Sequence, residues 1–132
     1  MRFSLDVRAP TDPQRGRAMT AMHAEFAGIA RRRGLALDIE PVWEAKTAAC
    51  APWIQGQLGA AIEAERLSAR RLPSGAGHDG MAMIAIADIG MLFVRCKGGI
   101  SHNPAEAITE ADAGVAARVF LRFIEHFRLN HQ

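Results

Sequence analysis

The sequence is poor in cysteine and contains no long apolar run. Its 132 residues include only two cysteines, Cys50 and Cys96, which are too far apart for a Cys-x-x-Cys motif. Two isolated thiols do not build a disulfide framework, so we expect a reducing, cytoplasmic setting in which both are small buried side chains. No apolar stretch is long enough to cross a membrane, and the first residues lack the layout of a signal peptide. We therefore expect a cytoplasmic protein without a membrane partner.

A strong excess of charge of one sign is also absent. The formal net charge is +2, which argues against nucleic acid as a partner, and the short basic runs at 31–33 and 70–71 are typical of solvated ends of elements. The histidine and acidic residues form no His-x-Asp pair and no His-Glu-x-x-His motif. By counting, these residues do not build a complete catalytic metal site.

What is present indicates a folded α/β protein. The chain is 49% hydrophobic and 23% charged, which is typical of a globular domain. Apolar and polar residues alternate over 3–8 and again over 35–43, which predicts two strands. Between them a helix is expected from Asp12 as N-cap to a stop at Gly34. This strand–helix–strand unit can form half of a split β-α-β sandwich.

The second part of the chain predicts further helices and one strand. A helix is expected from Pro52, with a charged tail, and a buried helix over 81–87. The apolar run at 91–96 predicts a strand that leads into two glycines. A last helix is expected after Thr109, which forms a capping-box pattern with the acidic residue three positions later. Its predicted apolar stripe is Ala116, Phe120, Phe123, Ile124 and Phe127.

A glycine-rich turn at 73–80 precedes the predicted helix at residue 81. Backbone N–H groups around Gly75 and Gly77 would suit a phosphate or carboxylate, because such groups at a helix start attract anions without a charged side chain. No Gly-Lys-Ser/Thr follows, which excludes a P-loop, and the third glycine of a dinucleotide-binding motif is absent. The alternative is a tight turn in which Asp79 caps the helix.

A second polar turn, at 97–106, has His102 at its centre. The glycine pair 98–99 permits backbone angles that a side chain would forbid, and Asn103 followed by proline stiffens the exit. A histidine held on a stiff turn after a buried strand suits a metal ligand. The alternative is a hydrogen-bonded turn residue without a ligand.

The histidines of the two turns can be grouped into one hypothetical site. His78 and His102 would then face one cleft, and Asp79 and Glu106 would orient the two rings as hydrogen-bond partners. A hydrolytic zinc site usually needs three protein ligands, so this pair is incomplete by itself.

The two turns together resemble one enzyme family. Residues 73–79 (PSGAGHD) and 98–106 (GGISHNPAE) strongly resemble segments of the C-terminal half of N-carbamoyl-L-amino-acid hydrolases and allantoate amidohydrolases, in the aminoacylase and carboxypeptidase-like metallopeptidase superfamily. Residues 3–8 (FSLDVR) resemble the family strand that carries a substrate-binding arginine. The resemblance implies hydrolysis of a linear ureido or amide bond by a metal-bound water, with a glutamate as general base.

The resemblance also implies a role for each site residue. His102 resembles the last metal ligand, and two divalent ions, zinc or manganese, are the implied cofactors. Arg8 is expected to pair with the substrate carboxylate, a bidentate contact that suits a guanidinium group. Gly75 and Gly77, with His78 beside them, are expected in the same carboxylate pocket. Three further residues are expected to support these groups, and they are Asp79, Asn103 and Glu106.

The domain organisation is likewise implied by the resemblance. Residues 1–46 would be a partial lid and dimerisation domain, half of a ferredoxin-like fold, which implies a homodimer. Residues 47–132 would be the C-terminal portion of a zinc-peptidase-like α/β catalytic domain. The other metal ligands and the general base of the family correspond to positions before residue 1, so we expect a fragment that is inactive alone. The expected substrate is a small ureido or amide compound with a carboxylate, and the alternative is a non-catalytic dimerisation or anion-binding module.

Overall fold

The computed structural model describes residues 1–129 of the chain. Within that range the protein has four α-helices, joined by segments without regular structure, and no strand. The helices are α1 (Asp12–Arg33), α2 (Pro52–Ala64), α3 (Gly80–Met83) and α4 (Glu110–Glu125), and a 3₁₀ turn covers Lys97–Gly99. None of the helices in this range combines the length and the apolar character needed to span a bilayer.

The chain forms two compact units. The first unit contains Met1–Ala48 and Leu72–Ala82, and the second contains Ala49–Arg71 and the chain from Met83 onward. The identification of the two parts of the sequence with a lid domain and a catalytic domain stays a prediction.

The predicted fold class is wrong, because the described residues contain no sheet. The segments 3–8, 35–43 and 91–96 carry the alternating pattern of strands, yet no ladder of backbone hydrogen bonds joins any of them to a neighbour. A strand exists only when its N–H and C=O groups pair with those of another strand. Their apolar side chains also stay in contact with water, and Phe3 is 67% exposed. The α/β assignment, the ferredoxin-like half and the zinc-peptidase-like half are therefore corrected to a helical chain with irregular connections.

Helix α1 begins and ends at residues that satisfy its terminal backbone groups. The N-cap is Thr11, one residue before the predicted cap, and its hydroxyl oxygen accepts a hydrogen bond from the Gln14 N–H at 3.4 Å. At the other end Gly34 lies in the left-handed region with φ of 62°. The Leu35 N–H then reaches back to the Ala30 carbonyl at 2.9 Å. The left-handed conformation of Gly34 lets the N–H groups of Gly34 and Leu35 bond to carbonyls of the last helical turn. The predicted stop at Gly34 is therefore confirmed.

The first turn of α1 holds the segment before residue 48. The Asp12 carboxylate accepts hydrogen bonds from the backbone N–H and the hydroxyl of Thr47, at 3.0 Å and 2.7 Å. Arg15 donates to the Ala45 carbonyl at 2.7 Å and forms an ion pair with Glu44. The Thr47 hydroxyl and N–H hold the pKa of Asp12 below its usual value, so this carboxylate stays ionised at neutral pH.

The buried helix expected at 81–87 is also corrected. Helix α3 has four residues, and a turn follows it. The apolar side chains beyond α3 face water, with Ile86 79% exposed. A single helical turn has too few internal hydrogen bonds to persist without packing. The small, apolar side chains of this run are therefore not evidence of a buried helix, and that prediction is wrong.

The second unit has its core where α2 packs against α4. The buried side chains of α2 are Ile54, Leu58 and Ala61, on the face that its periodicity predicts. On α4 the most buried residue is Val119, which is 3% exposed. The predicted stripe on α4 is correct only in part, because Phe123 and Phe127 are half-buried whereas Phe120 and Ile124 are exposed. We conclude that the buried face of α4 is centred on Val119.

Polar contacts fix this helix pair at two places. In the middle of α2 the Gln57 amide donates to the Arg128 carbonyl at 2.8 Å and accepts from the Arg128 N–H at 2.9 Å. At the end of α2 the Glu65 carboxylate accepts from Arg118 at 2.9 Å and from Arg122 at 3.3 Å. Because Gln57 contacts Arg128 and the later residue Glu65 contacts the earlier residues Arg118 and Arg122, the two helices run antiparallel.

Helix α2 ends in the same backbone turn as α1 but without a glycine. The Leu67 N–H bonds to the Ile62 carbonyl at 3.3 Å, and the Arg66 N–H bonds to the Glu63 carbonyl at 2.8 Å. Arg66 lies between them in the left-handed region, with φ of 59°. An L-residue in that conformation costs about 1–2 kcal/mol, whereas glycine adopts it freely.

Replacing Arg66 by glycine should therefore stabilise the second unit. Glycine removes the strain of the left-handed conformation in the folded state, but it also gives the unfolded chain more conformational freedom. The first effect is the larger, and the free energy of unfolding should rise by about 0.5 kcal/mol. Urea unfolding, followed by Trp53 fluorescence in a Trp43→Phe background, measures it. Arg66→Ala is the matched control, because it removes the side chain and keeps the strain. Equal effects of both substitutions would contradict the backbone explanation.

Candidate functional site

The guanidinium group of Arg8 is fixed by two partners in the first unit. Its Nη1 donates to the carbonyl oxygen of Gly75 at 2.6 Å, across a separation of 67 residues in the chain. Its Nε and Nη2 both donate to one oxygen of Asp6, Oδ2, at 2.9 Å and 2.6 Å. Two motifs singled out in the sequence, FSLDVR and PSGAGHD, therefore meet through a direct contact.

Arg8 and Asp6 form an ion pair at the surface. Their side chains are 61% and 67% exposed, so the pair stabilises the fold little. The hydrogen bond from Arg8 lowers the pKa of Asp6, and the same contact raises the pKa of Arg8. Both groups are consequently charged across the neutral pH range, and Asp6 is a partner of Arg8 that we did not predict.

The conformation of the turn at 73–80 does not require its two glycines. Neither Gly75 nor Gly77 has a positive φ. A Cβ added at Gly75 would meet no atom within 4 Å, and one added at Gly77 would make only an ordinary contact with Met81 at 3.9 Å. The Ser74 hydroxyl oxygen accepts from the Ala76 N–H at 3.3 Å and holds the turn instead. The absence of side chains at 75 and 77 thus leaves open space beside the Gly75 carbonyl.

His78 and Asp79 lie at the end of this turn and make contacts through their backbones. The His78 carbonyl accepts from the Met81 N–H at 2.9 Å, and the Asp79 carbonyl accepts from the Ala82 N–H at 2.9 Å. His78 is half-buried and Asp79 is exposed. Within residues 1–129 no hydrogen bond joins the two side chains, so the expected orientation of the His78 ring by Asp79 is not seen.

The turn at 97–106 is a loop closed on itself in the second unit. The Lys97 N–H donates to the Ala107 carbonyl at 2.8 Å and joins the two ends. Gly98 and Gly99 have φ of 64° and 70°, so here the glycines are required by the backbone. His102 also has a positive φ, of 56°, which is uncommon for a residue with a side chain.

Asn103 and Glu106 support the backbone of this loop. The Glu106 carboxylate accepts from the His102 N–H at 2.7 Å, and the Asn103 amide oxygen accepts from the Ala105 N–H at 2.9 Å. The Asn103 carbonyl in turn accepts from the Glu106 N–H at 2.8 Å. Both residues therefore hold the backbone of His102 in its unusual conformation. The sequence predicted that Glu106 would contact the His102 ring, whereas its carboxylate bonds to the His102 N–H.

The ring of His102 is paired with Ser101, a residue that sequence reasoning missed. Its Nδ1 lies 2.7 Å from the Ser101 hydroxyl oxygen. When Nδ1 carries the proton and donates to that oxygen, the lone pair of Nε2 is available to a metal ion. The imidazole is exposed, and Nε2 has no hydrogen-bond partner within residues 1–129. His102 thus fits one position in a metal site.

The described residues do not supply a complete metal site. No group of three or more histidine, cysteine, aspartate or glutamate side chains within residues 1–129 is arranged to hold an ion. The predicted site residues also fall into two sets. Arg8, Gly75, Gly77, His78 and Asp79 belong to the first unit, and the second unit contains the others, which are His102, Asn103 and Glu106.

Comparison with known proteins identifies the family. The profile of Peptidase family M20/M25/M40 matches residues 2–126. Because this match covers nearly the whole chain, the protein belongs to that family.

Its relatives have names that agree with this assignment. An allantoate deiminase of Arabidopsis thaliana is 35% identical over an alignment of 131 positions, which covers 93% of this chain and 25% of the relative. Allantoate deiminase 2 of Glycine max is 32% identical, covering 94% of this chain and 27% of the relative. An N-carbamoyl-L-amino acid amidohydrolase of Geobacillus stearothermophilus is 34% identical, covering 89% and 29%. The chain thus spans between a quarter and a third of the length of these relatives, and no solved structure matched it.

Proposed function

We propose that this chain carries the carboxylate-binding part and one metal ligand of a hydrolase that cleaves C–N bonds in linear ureido or amide compounds. The observation that carries the proposal is the 2.6 Å hydrogen bond between Arg8 and the Gly75 carbonyl. It brings a guanidinium group, which suits a carboxylate, beside a turn in which Gly75 leaves open space. The names of the relatives, allantoate deiminase and N-carbamoyl-L-amino acid amidohydrolase, support this reaction class.

The proposed substrate carries a carboxylate at one end and a ureido or amide group at the other. Both an allantoate and an N-carbamoyl amino acid have these two groups, and both words occur in the names of the relatives. Arg8 would hold the carboxylate, with Gly75 and Gly77 allowing it to approach the backbone. His78, half-buried in the same turn, would lie beside it. Asp79 would act only on the backbone of the turn.

The metal-binding part of the proposal concerns His102 alone. The pairing of its Nδ1 with Ser101 supports a role as one ligand of a zinc or manganese ion, in a site for two divalent ions. Asn103 and Glu106 would keep the loop in place. The ion would supply an activated water for attack on the C–N bond. The remaining ligands and the general base would come from other residues, because no group of three or more histidine, cysteine, aspartate or glutamate side chains within residues 1–129 is arranged to hold an ion.

Substitution of Arg8 tests the carboxylate site directly. Titration of the chain with allantoate or N-carbamoyl-L-alanine, followed by the NMR signal of the Arg8 Nε–H group, should shift that signal. Arg8→Lys lacks this signal, so its affinity is measured by isothermal titration calorimetry beside the unmodified chain. It should bind about tenfold more weakly, because a lysine cannot make a bidentate contact. Gly75→Ala should also weaken binding while leaving the circular dichroism spectrum unchanged.

Arg17→Lys is the matched control for this titration. It makes the same substitution at an exposed position on α1 and should leave affinity unchanged. An Arg8 signal that does not move with either ligand would contradict the proposed carboxylate site.

The incomplete metal site leads to a separate expectation. Assayed by itself with added zinc or manganese, the 132-residue chain should not hydrolyse allantoate or N-carbamoyl-L-alanine, because His102 alone cannot hold and activate a metal-bound water. Release of ammonia, measured over hours, reads this out. If the chain does hydrolyse either compound and His102→Ala abolishes that activity, the described residues suffice for catalysis and this expectation is wrong.

The second candidate function, a dimerisation module, is supported by exposed apolar side chains in the first unit. Leu35, Leu37 and Ile39 recur at every second position and all face water, as does Trp43. Apolar side chains exposed in such numbers often mark a protein–protein contact. A second copy of this chain is the proposed occupant, and this function is compatible with the first.

Light scattering measures the proposed dimer. The expected mass is twice 14.3 kDa, and Leu37→Asp should return it to the monomer without changing ligand binding. Asp38→Ala, next in the chain, is the control and should leave the mass unchanged. A monomer at every concentration up to about a millimolar, the range of weak contacts, would contradict this function.

We also place the protein in the cytoplasm. Cys50 and Cys96 are both free thiols and both half-buried. Such unpaired thiols are typical of proteins in a reducing compartment.

A further inference from the structure

The Arg8 guanidinium group has five N–H donors, and three of them are occupied. Asp6 accepts the Nε–H and one Nη2–H, and Gly75 accepts one Nη1–H. Within residues 1–129 one N–H on each Nη atom is therefore left without a partner. These two groups can hold one carboxylate, since its two oxygens accept two N–H bonds.

Asp6 also determines the charge that a ligand meets at Arg8. It is the acidic partner of Arg8 in the described part of the chain, so the pair has no net charge. A single carboxylate can still bind through hydrogen bonds to the guanidinium. A second negative charge on the ligand gains little from a neutralised arginine and is repelled by the Asp6 carboxylate.

We propose that Asp6 is a specificity-determining residue, which restricts the Arg8 site to ligands with one carboxylate and disfavours ligands with a second negative charge. The inference rests on the proposed function, because it requires Arg8 to bind the carboxylate of the substrate. It goes further than that function by separating singly from doubly charged ureido compounds.

The hydrogen-bond geometry makes this inference testable by a single substitution. Both bonds from Arg8 go to one oxygen of Asp6. The amide oxygen of an asparagine can accept both of them, so Asp6→Asn keeps the guanidinium in place and removes only the charge. Asp6→Ala removes the charge and the support together.

Two ligands of the same shape complete the test. N-Carbamoyl-L-asparagine and N-carbamoyl-L-aspartate share the ureido group and the α-carboxylate, and only the second has a charged side chain. Affinities are measured at low ionic strength from the NMR signal of the Arg8 Nε–H group, so that screening does not hide the effect.

The unmodified chain should bind the asparagine derivative roughly threefold to tenfold more tightly than the aspartate derivative. In Asp6→Asn this preference should fall at least threefold or reverse. In Asp6→Ala the preference should fall in the same way, and both ligands should bind more weakly. Asp38→Asn removes an equal charge from another exposed position of the first unit and should leave the preference unchanged.

The two levels of the hypothesis fail in different ways. A preference that is the same in the unmodified chain and in Asp6→Asn overturns the role of Asp6 and leaves the carboxylate site standing. An Arg8 signal that moves with neither ligand overturns the proposed function, and this inference with it. Equal changes in Asp6→Asn and Asp38→Asn would show a nonspecific effect of net charge and would also overturn the role of Asp6.

Discussion

The contact between Arg8 and the Gly75 carbonyl is the constraint that joins the first residues of the chain to the turn at 73–80. Residues before Thr11 make no backbone–backbone hydrogen bond in the described part of the chain. Phe3 makes an edge-to-face contact with Phe26, at 6.4 Å between ring centres, and the Arg8 side chain supplies the hydrogen bond that joins this segment to residues far along the sequence. The guanidinium group of Arg8, which is the candidate carboxylate-binding group, thus also connects two distant segments of the chain. Its position depends on the uncharged carbonyl of Gly75.

The helices were predictable from sequence because their signals are local. The cap at Thr109 and the stop at Gly34 depend on residues within one turn, and both hold. The strands were not predictable in the same way, because a period-two pattern states only which side chains share a face. Whether a segment such as 35–43 becomes a strand depends on a partner for its backbone groups, and the described residues provide none. The prediction of a buried helix over 81–87 failed for a related reason, because small apolar residues do not specify what they pack against.

The site was predictable to the extent that its residue types were distinctive. Arg8 was identified with the turn of Gly75, and the two do touch. Asp6 was missed, although the alternation that placed Arg8 on a polar face placed Asp6 on the same face two residues earlier. Ser101 was missed because a serine beside a histidine is common, and its contact with the ring is visible only in three dimensions. Glu106 was identified but with another role, since it holds the backbone of His102.

The α2–α4 pair is held at two places by chemically different contacts. In the middle of α2 the uncharged amide of Gln57 bonds to the backbone of Arg128, and just after α2 Glu65 is shared by Arg118 and Arg122. Dissolved salt screens exposed ion pairs and hardly affects a neutral amide contact. Raising the salt concentration should therefore weaken the contact at Glu65 while the contact at Gln57 persists, so that the salt content of the solution changes how α2 and α4 are held at one place and not at the other.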